Sequence, residues 1–313
     1  MKPKDDIKRY IILIALLLAP ISCSNDQKME THMDHVKILD LSQYAAAPPE
    51  KPIQLLFIHH STGGQLLADT GPDIGQNCIF KSNPNGGGLR HLLEDNNYVV
   101  HEASYGSLIG DKTDICHWNK KFREQMVKIL KCKNQDESFT DSTVNRIVMF
   151  KSCFPNSWIE SEGKDQGDPD STKQTTSNYK AVYNALREYF QKQPGTLFVV
   201  VTAPPLVKPE PNRVKESIKG ILGREDTVEK VGRRVRGFNN WLKDIENGWL
   251  KGYQLTNVVV FDYYDVLTGH GQSDWSLYPT GGGADSHPSS DGNTIAAKEF
   301  IPFLNRSVHR VGW

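Results

Sequence analysis

Long apolar runs are scarce in this sequence. The longest, Tyr10 to Ala19, is ten residues, about half of the ~20 that a membrane-spanning helix requires. Charge of one sign is lacking as well: 37 Lys and Arg face 37 Asp and Glu. Without residues 1–22, which hold Lys2, Lys4, Lys8 and Arg9 against Asp5 and Asp6, 33 basic and 35 acidic groups remain. That balance excludes a globally basic nucleic-acid binder. At 38% hydrophobic and 24% charged residues, the chain is neither disordered nor membrane-embedded as a whole. Cysteine is sparse, five residues in 313, and no pair is spaced C-x-x-C, which leaves a zinc site without support. No internal repeat and no second apolar core are visible, although the length suffices for one large domain or two small ones.

What is present begins with Lys8-Arg9 ahead of the apolar run, an arrangement suited to a signal-peptide core. Pro20-Ile21-Ser22-Cys23 follows. The small Ser22 before Cys23 is similar to a bacterial lipobox, in which the cysteine is lipidated and becomes the first residue; Pro20 departs from the usual Leu. The expectation is a lipoprotein-type signal over 1–22 and lipidation at Cys23, with ordinary secretion and nearby cleavage as the other reading. Both place the protein outside the cytoplasm, in the cell envelope, and the first anchors it to a membrane. Residues 23–52 are polar, end in Pro48-Pro49-Glu50-Lys51-Pro52, and read as a tether or as a strand or helix laid over the domain. Cys78, Cys116, Cys132 and Cys153 permit two disulfides in three connectivities. Cys116 and Cys132, flanking an apparent helix, are the first pair to consider.

From residue 53 onward, short apolar runs alternate with helical patterns. Ile53–Ile58, Tyr98–His101, Ile147–Phe150, Leu197–Val201 and Val258–Phe261 read as strands. Leu89–Asp95, Asn119–Lys131, Tyr179–Gln191, a segment within Val228–Leu250, and Gly292–Leu304 read as helices. Strands without polar alternation are covered on both faces, the signature of a parallel sheet between helical layers. The expected fold is therefore a three-layer α/β domain over 53–313, flavodoxin-like, with a five-stranded parallel sheet in the order 2-1-3-4-5 and helices on both faces. The stretches 160–178 and 205–227 read as polar insertions at the sheet rim.

Sites in open parallel sheets form beyond the carboxyl ends of the strands. His59-His60-Ser61-Thr62-Gly63-Gly64 follows the first strand, Ser104-Tyr105-Gly106 the second, Lys151-Ser152-Cys153-Phe154-Pro155-Asn156-Ser157 the third, and Thr202-Ala203-Pro204-Pro205 the fourth. Asp285-Ser286-His287-Pro288 precedes the last helix. A hydroxyl, an amide, a glycine and an Asp–His pair are the parts of a serine ester hydrolase: the hydroxyl needs a base, and a carboxylate fixes the tautomer of that base. A serine at a strand-to-helix turn can also turn its own N–H to an oxyanion. In a 2-1-3-4-5 sheet the first and third strands are neighbours, which brings Ser61 beside Asn156. The fifth lies three strands away, about 14 Å, so His287 must return over the sheet top on the long Thr268–Pro288 segment.

The block order resembles the SGNH, or GDSL-like, hydrolase superfamily, and FIHHSTG, VMFKSCFPNS and VVVTAPPL together resemble an uncharacterised bacterial subgroup of it. The likeness spans roughly residues 53–305. It implies Ser61 as nucleophile, His287 as base, Asp285 as orienting carboxylate, and Gly106 and Asn156 as oxyanion donors, with Gly110 an alternative to Gly106. His59-His60 stands where the superfamily has Gly-Asp, and Asp285 precedes His287 by two residues instead of three; a Ser–His pair helped by a backbone carbonyl is the fallback. No cofactor is needed. The implied activity is removal of O-acetyl groups from a glycan; a non-catalytic glycan-binding lipoprotein and an O-acyltransferase are the alternatives.

Blander roles stand beside these. Ser61 suits a helix N-cap, Asn156 a turn, Asp285 a cap on backbone N–H groups, and Gly106 a simple turn. His59 and His60 invite a metal with His117 or His270, but adjacent side chains of a strand point to opposite sides, and no metal is expected. Trp118, Trp158 and Trp275 fit a sugar-stacking surface or ordinary rim packing. Cys153 reads as buried or disulfide-bonded.

Overall fold

The computed structural model describes residues 36–210 and 227–313. The signal over 1–22, lipidation at Cys23, the first part of the tether and residues 211–226 of the second insertion lie outside the described residues. In chain order the elements are β1 (Ile53–Ile58), α1 (Thr62–Leu67), β2 (Asp69–Thr70), β3 (Ile74–Gln76), β4 (Ile79–Asn83), α2 (Leu89–Glu94), β5 (Tyr98–Ala103) and α3 (Ile115–Lys131). Then follow β6 (Cys132–Asn134), β7 (Glu137–Ser138), β8 (Ile147–Lys151), α4 (Thr176–Gln191), β9 (Leu197–Val201) and α5 (Thr227–Lys243). The last are β10 (Val258–Phe261), α6 (Tyr263–Leu267), β11 (Pro279–Thr280), β12 (Asp285–Pro288) and α7 (Ser290–Arg310).

The central sheet runs β10-β9-β8-β1-β5-β6-β7. Its seven strands correct the expected five. The five apolar runs sit side by side and parallel, and β6 and β7 extend the sheet beyond β5. These added strands are short and polar, Cys-Lys-Asn and Glu-Ser, as edge strands commonly are, so no apolar run announces them. A second, three-stranded sheet, β2-β4-β3, fills the segment between α1 and α2.

Side chains alternate along each strand, and the two faces meet two separate helical layers. Leu56, Ile58, Val148, Phe150, Phe198 and Val200 pack against Trp118, Phe122, Val182, Leu186, Phe190, Val235 and Phe238 of α3, α4 and α5. On the other face Leu55, Phe57, Ile147, Met149, Leu197 and Val199 meet Leu66, Leu93, Ala296, Phe300 and Leu304 of α1, α2 and α7. β8 and β9 are buried at every position, which is why they carry no polar residue until Lys151.

Residues 36–52 do not hang free as the end of a tether. Leu41 is buried, Arg306 donates to the carbonyls of Ser42 and Tyr44, Asn305 to that of Ala46 and Asn97 to that of Pro49. The 160–178 segment is a loop as far as residue 175, with one bridge, Ser161 to Thr175, and then enters α4.

The Cys116–Cys132 pairing is also corrected, because both thiols are free, as are those of Cys78 and Cys153. Cys116 sits in the first turn of the 17-residue α3 and Cys132 directly follows its end. At ~1.5 Å per residue the helix holds the two about 24 Å apart, whereas a disulfide needs Cα atoms within about 7 Å. A chain beginning at Ser24, unfolded without reductant and treated with iodoacetamide, is therefore expected to take up four carbamidomethyl groups by intact mass. Uptake of two or none would show that disulfides hold the fold.

Candidate active site

β1 delivers its carboxyl end to a tight turn. His59, His60 and Ser61 reverse the chain into α1, and Ser61 itself takes φ 32°, ψ −95°, a backbone region costly for a residue with a Cβ. The turn is made without a glycine before the serine; the glycines come after it. A Cβ on Gly63 would lie 2.4 Å from His59 Cβ, and one on Gly64 would lie 1.9 Å from the Cys78 carbonyl oxygen. Close packing at those two positions lets the turn sit directly on β1 and the Cys78 loop.

The opposing wall is the β11–β12 hairpin, joined through Gly281-Gly282-Gly283. Within an extended strand, residues two apart share a face. Asp285 and His287 therefore project together, which gives the two-residue spacing a geometric reason. His287 Nε2 lies 2.7 Å from Ser61 Oγ, and His287 Nδ1 lies 2.7 Å from Asp285 Oδ1. The same carboxylate oxygen accepts the His287 backbone N–H at 3.0 Å. Phe154 packs edge-on against the imidazole at 4.8 Å between centroids. Burial pushes the Asp285 carboxyl up, but the hydrogen bonds from His287, its charge and the Thr280 hydroxyl outweigh this and hold it below its ordinary value. An ionised Asp285 accepts the Nδ1–H hydrogen bond, which fixes the tautomer and leaves the Nε2 lone pair facing the serine hydroxyl.

The expected oxyanion donors are placed differently. Asn156 is buried at the carboxyl end of β8, the strand beside β1. Its Nδ2 donates to Asp114 Oδ1 at 2.8 Å and to the Cys153 carbonyl at 3.2 Å, while its Oδ1 accepts the Ile115 N–H at 2.8 Å. Gly106 is exposed, with φ 82°, and its N–H donates to Asp111 Oδ1 at 2.9 Å. The expectation that this N–H faces Ser61 is not met, because a carboxylate holds it. Gly110 does not replace it: its N–H donates to Ser107 Oγ at 2.9 Å and its carbonyl is 2.6 Å from His60 Nε2. Burial pushes the Cys78 thiol up, and the neighbouring Ser61 backbone opposes this.

A polar layer lies beneath the turn. His59 is fully buried, with Nε2 at 2.9 Å from Glu102 Oε1, and Arg90 pairs with the other Glu102 oxygen. Burial holds His59 well below its ordinary value, helped by the charges of Lys151 and Arg90; Arg90 already meets the Glu102 charge, so the carboxylate does not reverse this. His60 stacks on Tyr105 at 3.5 Å and is pushed down to about 4, chiefly by burial. Lys151, the last residue of β8, is buried, and its Nζ donates to Thr62 Oγ1 and the Ser152 carbonyl. Sequence reasoning passed over Lys151, Glu102 and Asp114; the signal for Lys151 was a cation closing an otherwise wholly apolar strand.

The remaining candidates fall elsewhere. His59 and His60 point to Glu102 and Gly110 as described, while His117 contacts Asp114 and His270 contacts Asp265 and Glu299. Trp118 and Trp275 are buried, and Trp158 packs against the core, so the three do not make an exposed stacking surface.

No family model matches the chain, and no curated protein matches it. Among solved structures it is similar to a carbohydrate esterase family 2 enzyme with a carbohydrate-binding domain from Corynascus thermopiles (Myceliophthora fergusii), at 14% identity and TM-score 0.39, covering 86% of this chain and 69% of that one. It is similar as well to two variants of an acetylxylan esterase from Geobacillus stearothermophilus. One is 15% identical with TM-score 0.39, covering 84% of this chain and 95% of that one. The other is 14% identical with TM-score 0.39, covering 86% and 97%.

The two lowered histidines of the turn, with His101 and His117 lowered by burial as well, set a pH dependence. The unfolded chain takes up protons near pH 6.5, whereas folded His60 does so only near 4 and His59 well below its ordinary value. Between these limits the unfolded state binds more protons, so stability falls as pH falls. The midpoint of thermal unfolding is expected to drop steadily from pH 7 to pH 4.5, and His60→Gln to flatten that slope. A midpoint independent of pH over this range would show that neither imidazole is held neutral by the fold.

Proposed function

We propose that this chain is an exported serine ester hydrolase that removes O-acetyl groups from a carbohydrate through an acyl-serine intermediate. The observation that carries the reading is the continuous Ser61–His287–Asp285 hydrogen-bond chain, 2.7 Å at each link. His287 Nε2 takes the Ser61 proton as Oγ attacks the ester carbonyl carbon. The tetrahedral adduct collapses, and the same imidazolium protonates the departing sugar oxygen. Water, deprotonated by His287, then attacks the acyl-serine; acetate leaves and Ser61 regains its proton. Asp285 stays ionised throughout and stabilises the imidazolium. The glycan and the acetyl group come from the superfamily resemblance. Export and lipid attachment at Cys23 rest on Lys8-Arg9, the Tyr10–Ala19 run and Ser22-Cys23.

One observation favours a second reading, a glycan-binding surface lipoprotein without turnover. The Gly106 N–H and the Asn156 amide, which an oxyanion would need, are each held by a carboxylate. Hydrolysis of p-nitrophenyl acetate decides between the two. The wild type is expected to turn over, Ser61→Ala to lose about a thousandfold or more, and Asp285→Asn about 100- to 10,000-fold. Equal rates for wild type and Ser61→Ala would establish the binding reading instead.

A further inference from the structure

Lys151 has no structural reason to be a lysine. It closes β8, whose five residues are all buried, and its side chain is 1% exposed. Among the described residues no carboxylate pairs with it; its Nζ meets the neutral oxygens of Thr62 and Ser152. The ionisable groups nearest it are His59 and His60 from the end of β1, Cys78 from the loop after β3, and Cys153 two residues past the end of its own strand. None is an anion at neutral pH in its ordinary form. Lysine is almost never fully buried unless paired, taking an ammonium out of water without a counter-charge is among the costlier things a fold can do, and burial pushes the Lys151 amine below its ordinary value. A methionine would fill the same volume at less cost.

The position of Lys151 says what the lysine does. Its Nζ holds the Oγ1 of Thr62, which is fully buried and directly follows Ser61. The other neighbour of Thr62 Oγ1 is Cys153 Sγ, at 3.5 Å, a weak acceptor. The firm hold on Thr62 thus comes from Lys151, one peptide from the serine. Ser61 sits at a costly φ of 32°, and misplacing an attacking oxygen by about 1 Å can cost on the order of 100-fold in rate.

Resting on the esterase reading, we infer that Lys151 is a positioning residue for the reaction: by holding the Thr62 hydroxyl it fixes the peptide that follows Ser61 and so keeps Oγ in line for the tetrahedral state.

Labelling by a fluorophosphonate tests this without a known substrate. Ser61 Oγ attacks phosphorus, the P–F bond breaks, fluoride leaves, and the proton passes to His287; intact mass follows the adduct. Lys151→Met and Thr62→Val are each expected to slow labelling about 10- to 100-fold, and the double variant to be no slower than about twice the worse single one, because the two act as a unit. On p-nitrophenyl acetate, Lys151→Met is expected to lower kcat and kcat/KM together, as for an interaction made only in the transition state. Its unfolding midpoint is expected to be unchanged or raised, since an unpaired buried charge is removed; a merely structural lysine would lower the midpoint and leave kcat alone. Labelling of Lys151→Met within about threefold of wild type overturns the inference. If that variant fails to fold, Thr62→Val labelling at the wild-type rate overturns it. Wild type that takes no label, or Ser61→Ala that labels equally, overturns the esterase reading itself and the inference with it.

Discussion

The whole arrangement depends on one hydrogen bond, between Ser61 Oγ and His287 Nε2, which closes a loop of 226 residues. Neither partner can be moved independently of the sheet. Ser61 is pinned by β1 from behind and by the approach of Gly63 to His59 and of Gly64 to the Cys78 carbonyl from below. His287 is pinned by the two-stranded β11–β12 hairpin, by Asp285 and by the ring of Phe154. The longer loops are the adjustable part; Ser61 caps α1 just beyond β1, and His287 stands within β12. A rotation of the hairpin that breaks the Nε2–Oγ contact would also unstack the imidazole from Phe154.

The strain at Ser61 follows from the same constraint. A glycine before Ser61 would accept the left-handed backbone at no cost. Here that place is taken by His60, whose ring is stacked on Tyr105 and bonded to the Gly110 carbonyl, and the positive φ falls on Ser61. Strain of this kind persists only where surrounding packing over-determines it. The over-determination is visible: His59 fills the space above Gly63 and is itself held by Glu102, which Arg90 neutralises. The two histidines therefore do what a Gly-Asp pair would not. They build a rigid floor, and they commit the fold to keeping both imidazoles uncharged.

What was legible in the sequence followed physical signal strength. β9 and β10 announce themselves because burial on both faces leaves no polar residue to blur the run; β1, β5 and β8 stay readable because Gln54, His101, Glu102 and Lys151 interrupt only their edges. The amphipathic α3 and α4 were readable for the same reason, though α3 starts four residues earlier than its apolar spacing suggested, just after Asp114. By contrast α1, Thr-Gly-Gly-Gln-Leu-Leu, carries two glycines and poor intrinsic propensity; tertiary contact with His59 and Cys78 makes it a helix, and no local pattern encodes that. β6 and β7 were hidden because edge strands bury little. Ser61, Asp285 and His287 were legible as a set, and the structure brings them together. Gly106 and Asn156 were legible as residue types, but their partners, Asp111 and Asp114, lie in a loop whose path no periodicity records.

Those two carboxylates sharpen the chemistry. Donors aimed at a future anion are most effective when nothing anionic occupies them beforehand, yet Asp111 and Asp114 already sit on the two expected ones. A developing oxyanion near Asn156 would meet the Asp114 charge at short range, a like-charge repulsion that the half-exposed Asp114 side chain leaves partly screened by water. Turnover then requires either that the segment from Tyr105 to Asp114 shift, freeing the Asn156 amide, or that the negative charge be met from another side. The strand beside β1 bears on this differently: Lys151, at the end of β8, holds the hydroxyl that follows Ser61, so the floor of the turn fixes where Oγ stands while the loop decides where negative charge could rest.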